Sequence, residues 1–275
     1  MNRTDVFIFS TPKPVIGCIH LLPLPGAPLY DGNLKGIFER ALREADIYHR
    51  LGLHGIIIEN FGDSPFYPES VPAETIAAMT AVTRDVVQHC PLPAGVNVLR
   101  NDARAAVAVA TATGAAFVRV NVHMGAMVTD QGLVQGRAHE TARLRNALRS
   151  DVRILADVAV KHAVPLAARP LELEVADLSE RGMVDGIIVT GDRTGCAVDG
   201  RMLETARSSC TVPVFAGSGT TPENLPELYP MVDGFIIGSY FKHDGNPLNA
   251  VSEDRVRRVM NTWEILERRD ENANA

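Results

Sequence analysis

Short runs of Val, Ile, Leu and Ala recur along the whole chain, each bounded by Gly, Pro or polar residues. Eight have the near-continuous apolar character of strands buried on both faces: Val15–His20, Gly55–Glu59, Ala94–Val98, Ala116–Val122, Val152–Val158, Asp185–Thr190, Val212–Ala216 and Gly234–Gly238. The stretches between them carry apolar residues at helical spacing. Leu34–Leu51 places Ile37, Ala41, Ala45 and Tyr48 on one face, and Ala73–His89 does the same with Ile76, Met79, Val82 and Val86. Asp102–Thr113 opens on an Asp suited to capping. Helical patterns follow at Arg137–Arg149, Pro170–Arg181, Gly200–Ser209, Pro222–Tyr229 and Val251–Glu267.

Strand then helix, repeated eight times, predicts an α/β fold of the (β/α)8 TIM-barrel type. An open doubly wound sheet would place a G-x-G-x-x-G loop after its first strand. Here that loop reads His20-Leu-Leu-Pro-Leu-Pro-Gly26. No linker or composition shift divides the 275 residues, so one domain is expected, its barrel running from about residue 14 to 268 with frayed ends.

Side chains alternate along a barrel strand, and the C-terminal strand ends carry the chemistry. In Phe117–Val122 the valines share one face, while Arg119 and Asn121 share the other and should point inward. The same reading turns Glu59, Asn97 and Asp157 inward, and puts Cys18 and His20 on one face of the first strand. Such groups are costly to bury without partners, so they form an active site, a satisfied ion-pair network, or both. Asp157 is the leading candidate for general base, with Glu59 as its acidic counterpart. Lys161 and His162 follow in the same loop; either can move a proton, and a desolvated Lys161 can form a Schiff base.

Gly217-Ser218-Gly219 follows the seventh run and Gly238-Ser239-Tyr240 the eighth. Glycines let backbone N–H groups approach an anion, and barrels often hold phosphate at these two loops. Thr221-Pro222 reads as N-cap and first residue of the next helix, which would add a dipole. Two loops read as mobile lids: glycine-rich His123–Gly136, and Thr190–Gly195, which contains Asp192 and Arg193. Asp192 joins the candidate catalytic set, and Arg193 suits a substrate anion.

Net charge is −6, without the basic excess of a nucleic-acid binder. The longest apolar stretch, Ala105–Val118, is shorter than the roughly 20 residues a spanning helix needs, so no direct membrane insertion is expected. Cys18, Cys90, Cys196 and Cys210 form no C-x-x-C pair and read as reduced thiols. With no secretory layout in the first residues, a cytoplasmic location is expected. Neither H-x-H nor H-E-x-x-H occurs, nor a Cys/His cluster, which argues against zinc. A Mg²⁺ held by Glu59, Asp157 or Asp192 and by substrate oxygens is compatible with these residues, though no motif signals it. The subunit number stays open, a homo-oligomer included.

Several ordered motifs are similar to those of the BtpA/SgcQ family: His20–Gly26; Glu59-Asn-Phe-Gly-Asp63 with Pro65-Phe66; Asn97-Val-Leu-Arg-Asn-Asp102; Arg119-Val-Asn121; Thr129–Gly132; Ala156-Asp157-Val with Lys161-His162; Thr190-Gly191 with Thr194-Gly195; and Phe241-Lys242-x-Asp244-Gly245. The resemblance covers nearly the whole chain. It implies a barrel of the ribulose-phosphate-binding kind, in agreement with the two glycine loops. For function it implies two alternatives. One is an enzyme on a small phosphorylated sugar or sugar acid, working as isomerase, lyase or aldolase. The other is a non-catalytic assembly factor like the member associated with photosystem I in cyanobacteria. A nucleoside triphosphatase label also attached to the family finds no Walker motif in this chain.

Overall fold

The computed structural model describes residues 8–191 and 198–274. In chain order the elements are β1 (Val15–His20), α1 (Leu34–Arg50), β2 (Gly55–Glu59), α2 (Ala73–His89), β3 (Ala94–Asn97), α3 (Ala103–Thr113), β4 (Phe117–Val120), β5 (Ala126–Thr129), β6 (Gly132–Gln135), α4 (Ala138–Ala147), β7 (Arg153–Val158), β8 (Ala163–Pro165), α5 (Leu171–Glu180), β9 (Gly186–Val189), α6 (Gly200–Ser208), β10 (Val214–Ala216), α7 (Leu225–Leu228), β11 (Gly234–Ile237) and α8 (Glu253–Asn274). Eight parallel strands close in the order β1-β11-β10-β9-β7-β4-β3-β2, which is the predicted (β/α)8 barrel.

The alternation read from sequence sorts the side chains into two layers. Val118, Val120, Ile56 and Ile58 face outward into the main core shared with the helices. Ile16, Cys18, Ile57, Phe117, Leu155, Ile188, Phe215 and Ile236 fill the barrel interior. Phe9 closes its lower end, edge-on to Phe117 with ring centroids 5.7 Å apart. Glycine is required beside this plug: a Cβ on Gly95 would stand 2.2 Å from the Phe117 ring. Caps act as expected at α3, where the Asp102 carboxylate accepts from Ala105 N at 2.9 Å.

Three expectations are corrected. The loop His123–Gly136, read as a glycine-rich mobile loop, carries regular secondary structure. It folds as the antiparallel hairpin β5–β6, joined by β8 from the loop after β7. Gly132, at φ +93°, supports the tight turn, and Val134 packs fully buried against Val122 and Val160. Thr221 and Pro222 do not start a helix. The helix begins at Leu225 behind Asn224 and lasts four residues, because Pro226 and Pro230 cannot supply helical N–H donors. The last helix, expected to end at Glu267, runs on as α8 to Asn274; it is anchored by Trp263 Nε1 donating to Lys13 O at 2.8 Å and by Thr11 Oγ1 donating to Glu267 at 2.8 Å. Among the described residues, no helix is long and apolar enough to cross a membrane.

Candidate active site

Strand register assembles the polar set. His20 lies opposite Glu59, and Glu59 opposite Asn97, so three neighbouring strands end in one polar rung. Arg119 rises from β4 beneath this rung, and Asp157 stands near the end of β7. All five side chains are buried. The Arg119 guanidinium donates through Nε to Asp157 Oδ1 (2.9 Å), through Nη2 to Asp157 Oδ2 (2.8 Å) and through Nη1 to Glu59 Oε1 (3.3 Å). Asn121 Nδ2 donates to Asp157 Oδ2 at 2.9 Å and Asn97 Nδ2 to Glu59 Oε1 at 3.2 Å. Burial opposes the Arg119 charge, but the two carboxylates outweigh it and hold its pKa above the ordinary value.

This geometry does not suit a Mg²⁺ shared by Glu59 and Asp157. Both Asp157 oxygens accept from a bidentate guanidinium, so a cation there would have to displace Arg119. Glu59 differs: Oε1 is tethered, while Oε2 faces His20 Nε2 at 3.6 Å. The other ring nitrogen, Nδ1, lies 2.8 Å from Pro247 O and must be the donor, since a carbonyl only accepts. The ring stacks on Phe61, with centroids 4.4 Å apart. Burial, with the Lys242 ammonium adding, pushes the imidazole pKa down to about 3. Burial also pushes the Cys18 thiol up to about 12, with the Glu59 carboxylate adding.

Lys161 follows β7, and its Nζ donates to Gly217 O at 3.0 Å. That bond ties the β7 loop to the glycine loop after β10. Burial lowers its pKa to about 8, and the like charge of Arg119 pushes the same way. Around physiological pH an appreciable fraction is therefore a neutral amine.

These groups open into one cavity of about 430 Å³, within the range of small-molecule sites. Glu59, Asn97, Arg119, Asn121, Asp157, Lys161, His162 and His20 all line it. So do Gly217, Ser218, Gly219, Gly238, Ser239 and Tyr240 from the two loops. Asp192 lies outside the described residues, together with Arg193 and Thr194-Gly195. The glycine loops lack the helix dipole read from Thr221-Pro222. The Gly217–Gly219 loop takes its shape from Asn224, whose Nδ2 donates to Gly219 O and whose Oδ1 accepts from Thr221 N, each at 2.8 Å.

Sequence reasoning missed several cavity residues. Arg255, near the start of α8, lies over the Tyr240 ring at 4.3 Å and donates from Nε to Tyr240 O. Nothing local marks a residue so far downstream of the loop it meets. Arg100 donates from Nη2 to Lys161 O at 2.6 Å. Asp130 and Gln131 reach the cavity from the β5–β6 turn. Two short apolar runs, Ala126-Met-Val128 and Leu133-Val134, on either side of Asp130-Gln131-Gly132 were the available signal for that hairpin. Among the described residues, six buried side-chain polar atoms lack a partner. Four of them, Arg100 Nε, Asn121 Oδ1, Gln131 Oε1 and Thr220 Oγ1, belong to residues of this cavity.

The fold and the cavity define a (β/α)8 barrel with a charged pocket on the face where such barrels carry their sites. Solved structures share the fold at low identity. Phosphoribosyl anthranilate isomerase from Thermus thermophilus superposes with a TM-score of 0.58 at 12% identity, covering 92% of this chain and 99% of the other. Thiamine phosphate pyrophosphorylase from Pyrococcus furiosus gives 0.56 at 17%, covering 92% and 96%. Within that fold the sequence is more specific. Residues 11–264 match the BtpA family, and the chain belongs to it. It is 46% identical over 254 residues to the photosystem I biogenesis protein BtpA of Synechocystis, covering 92% of this chain and 88% of the relative. It is 45% identical over 248 residues to an uncharacterized protein of Thermococcus kodakarensis, covering 90% and 94%.

Proposed function

We propose that this protein is an enzyme acting on a small phosphorylated sugar or sugar acid, by isomerase, lyase or aldolase chemistry. The observation that carries the reading is one cavity with backbone-rich glycine loops on one side and the Glu59–Arg119–Asp157 network with Lys161 on the other. The phosphate would lie against Gly217–Gly219 and Gly238–Tyr240, with Arg255 as its cation. Binding energy from that non-reacting end orients the remainder of the substrate. Lys161, as a neutral amine, takes a proton from carbon or adds to a carbonyl. Arg119 acts by holding the two carboxylates in place. The orphaned Asn121 Oδ1 and Arg100 Nε supply an acceptor and a donor for substrate oxygens and hydroxyls.

The alternative, a non-catalytic assembly role, is favoured by the likeness to the Synechocystis protein. An almost equal likeness to the Thermococcus protein favours a role not tied to one complex. A thermal-shift screen against sugar phosphates and sugar-acid phosphates tests the enzyme reading. A ligand at about 100 times its Kd adds roughly 2.7 kcal/mol of stability. The expected result is a rise of several degrees for at least one phosphorylated compound and none for its dephosphorylated counterpart. No shift with any of them, together with full biological activity in a folded Glu59→Gln/Asp157→Asn protein, refutes it.

A further inference from the structure

Three atoms beside the Arg119 network have no role in the reading above. Cys18 Sγ, His20 Nε2 and a Glu59 carboxylate oxygen all lie within 4.8 Å of one another, and all three residues are buried and line the cavity. From this arrangement we propose that Cys18, His20 and Glu59 form a three-ligand site for a divalent metal of the zinc class, with its fourth position open to the cavity.

The argument is geometric. Cys18 and His20 are two residues apart on β1 and so share a face, and register places Glu59 directly opposite His20. With Nδ1 held by Pro247 O at 2.8 Å, Nε2 is directed toward Glu59 Oε2 at 3.6 Å. Ligand atoms about 2.0–2.1 Å from a tetrahedral zinc are about 3.4 Å apart, close to the observed spacing. Zinc-binding histidines usually donate their second N–H to a carbonyl or carboxylate, as His20 does to Pro247 O. The Glu59 carboxylate is likewise held: Oε1 accepts from Arg119 and Asn97, which leaves Oε2 as the monodentate ligand. One thiolate, one imidazole and one carboxylate are a donor set for zinc rather than for Mg²⁺.

The neighbouring backbone also leaves room. A Cβ on Gly238 would stand 3.3 Å from His20 Nε2 and 3.5 Å from Cys18 Sγ, so glycine keeps open the space in front of both ligands. A metal there would lie beside the glycine loops and polarise a carbonyl or hydroxyl oxygen of the bound molecule. Coordination converts the Cys18 thiol to a thiolate and releases one proton to solvent. The sequence offered only a Cys-x-His pair, whose third ligand comes from a different strand.

The test uses the full chain, stripped with a chelator and reloaded with Zn²⁺ or Co²⁺. The expected result is one zinc per chain by elemental analysis. Co²⁺ should give thiolate-to-cobalt charge-transfer absorption in the near ultraviolet and the visible bands of a tetrahedral ion. Cys18→Ser should remove the charge-transfer absorption. His20→Gln should weaken zinc binding at least a hundredfold in a chelator competition. Gly238→Ala changes no ligand and, at φ −105°, imposes no left-handed backbone. It should weaken binding at least tenfold with circular dichroism unchanged. Failure of the wild-type protein to retain zinc, a cobalt spectrum without thiolate absorption, or equal zinc affinity in wild type and Gly238→Ala would overturn the assignment. These readouts need no substrate, so they stand or fall apart from the proposed enzymatic activity.

Discussion

Replacing Arg119 by Met isolates the energetics of the barrel mouth. The guanidinium makes two bonds to Asp157, at 2.9 and 2.8 Å, and one to Glu59 at 3.3 Å. Their side chains are 6%, 1% and 6% exposed, for Arg119, Asp157 and Glu59 respectively. Met keeps most of the volume and removes the charge, which leaves two buried carboxylates without their shared counter-ion. Breaking a buried pair from one side costs about 3–5 kcal/mol, a large share of the roughly 5–15 kcal/mol that holds a typical domain folded. The cost should depend on pH with a definite sign. Burial and the like-charged neighbour raise a carboxyl pKa once the guanidinium is gone. The folded variant then binds more protons than its unfolded chain, so its stability falls as pH rises. The penalty relative to wild type should be full at about pH 8 and smaller at about pH 5. Urea unfolding followed by circular dichroism, in chelator to exclude metal, measures it. Arg119→Met/Asp157→Asn should cost less than the two single substitutions summed, because each removes the same contact. A penalty under about 1 kcal/mol at pH 8, or an equal one at both pH values, would refute the account of this network as a mutually dependent buried ion set.

Other outcomes follow from the same geometry. With the substrate found in the screen, kcat/KM should rise with pH through an apparent value near 8, the lowered Lys161 pKa, and Lys161→Met should abolish that limb; a flat profile reassigns Lys161 to structure. Arg255→Met should weaken binding of the phosphorylated ligand roughly ten- to a hundredfold, the value of a charge-assisted hydrogen bond of about 1.5–3 kcal/mol, with little effect on a dephosphorylated analogue; isothermal titration separates the two. Gly95→Ala forces a Cβ to within 2.2 Å of the Phe117 ring and should cost about 1–3 kcal/mol. Adding Phe117→Leu should recover part of that loss in chemical denaturation.

Every barrel strand was legible before folding, because a strand buried on both faces needs a continuous run of β-branched and aliphatic residues, and Gly-Ile-Ile-Ile-Glu59 is such a run. Inward pointing was legible too. Period-two alternation fixes the face of Arg119, Asn121 and Asp157 once the strands are known. What alternation cannot supply is partner choice. That Arg119 clasps Asp157 bidentately and that Arg255 returns over Tyr240 depend on strand stagger and loop closure between residues well separated in the chain. The misread segments have different causes. Hairpin β5–β6 is stable because Val134 finds Val122 and Val160, whereas α7 stays short because Pro226 and Pro230 remove helical donors, a signal already present in the sequence. The Cys18-x-His20 pair is the sharpest case. Its face is a local property of one strand, but only the register with β2 brings Glu59 to it, and Pro247, from the loop ahead of α8, together with Phe61 orients the ring.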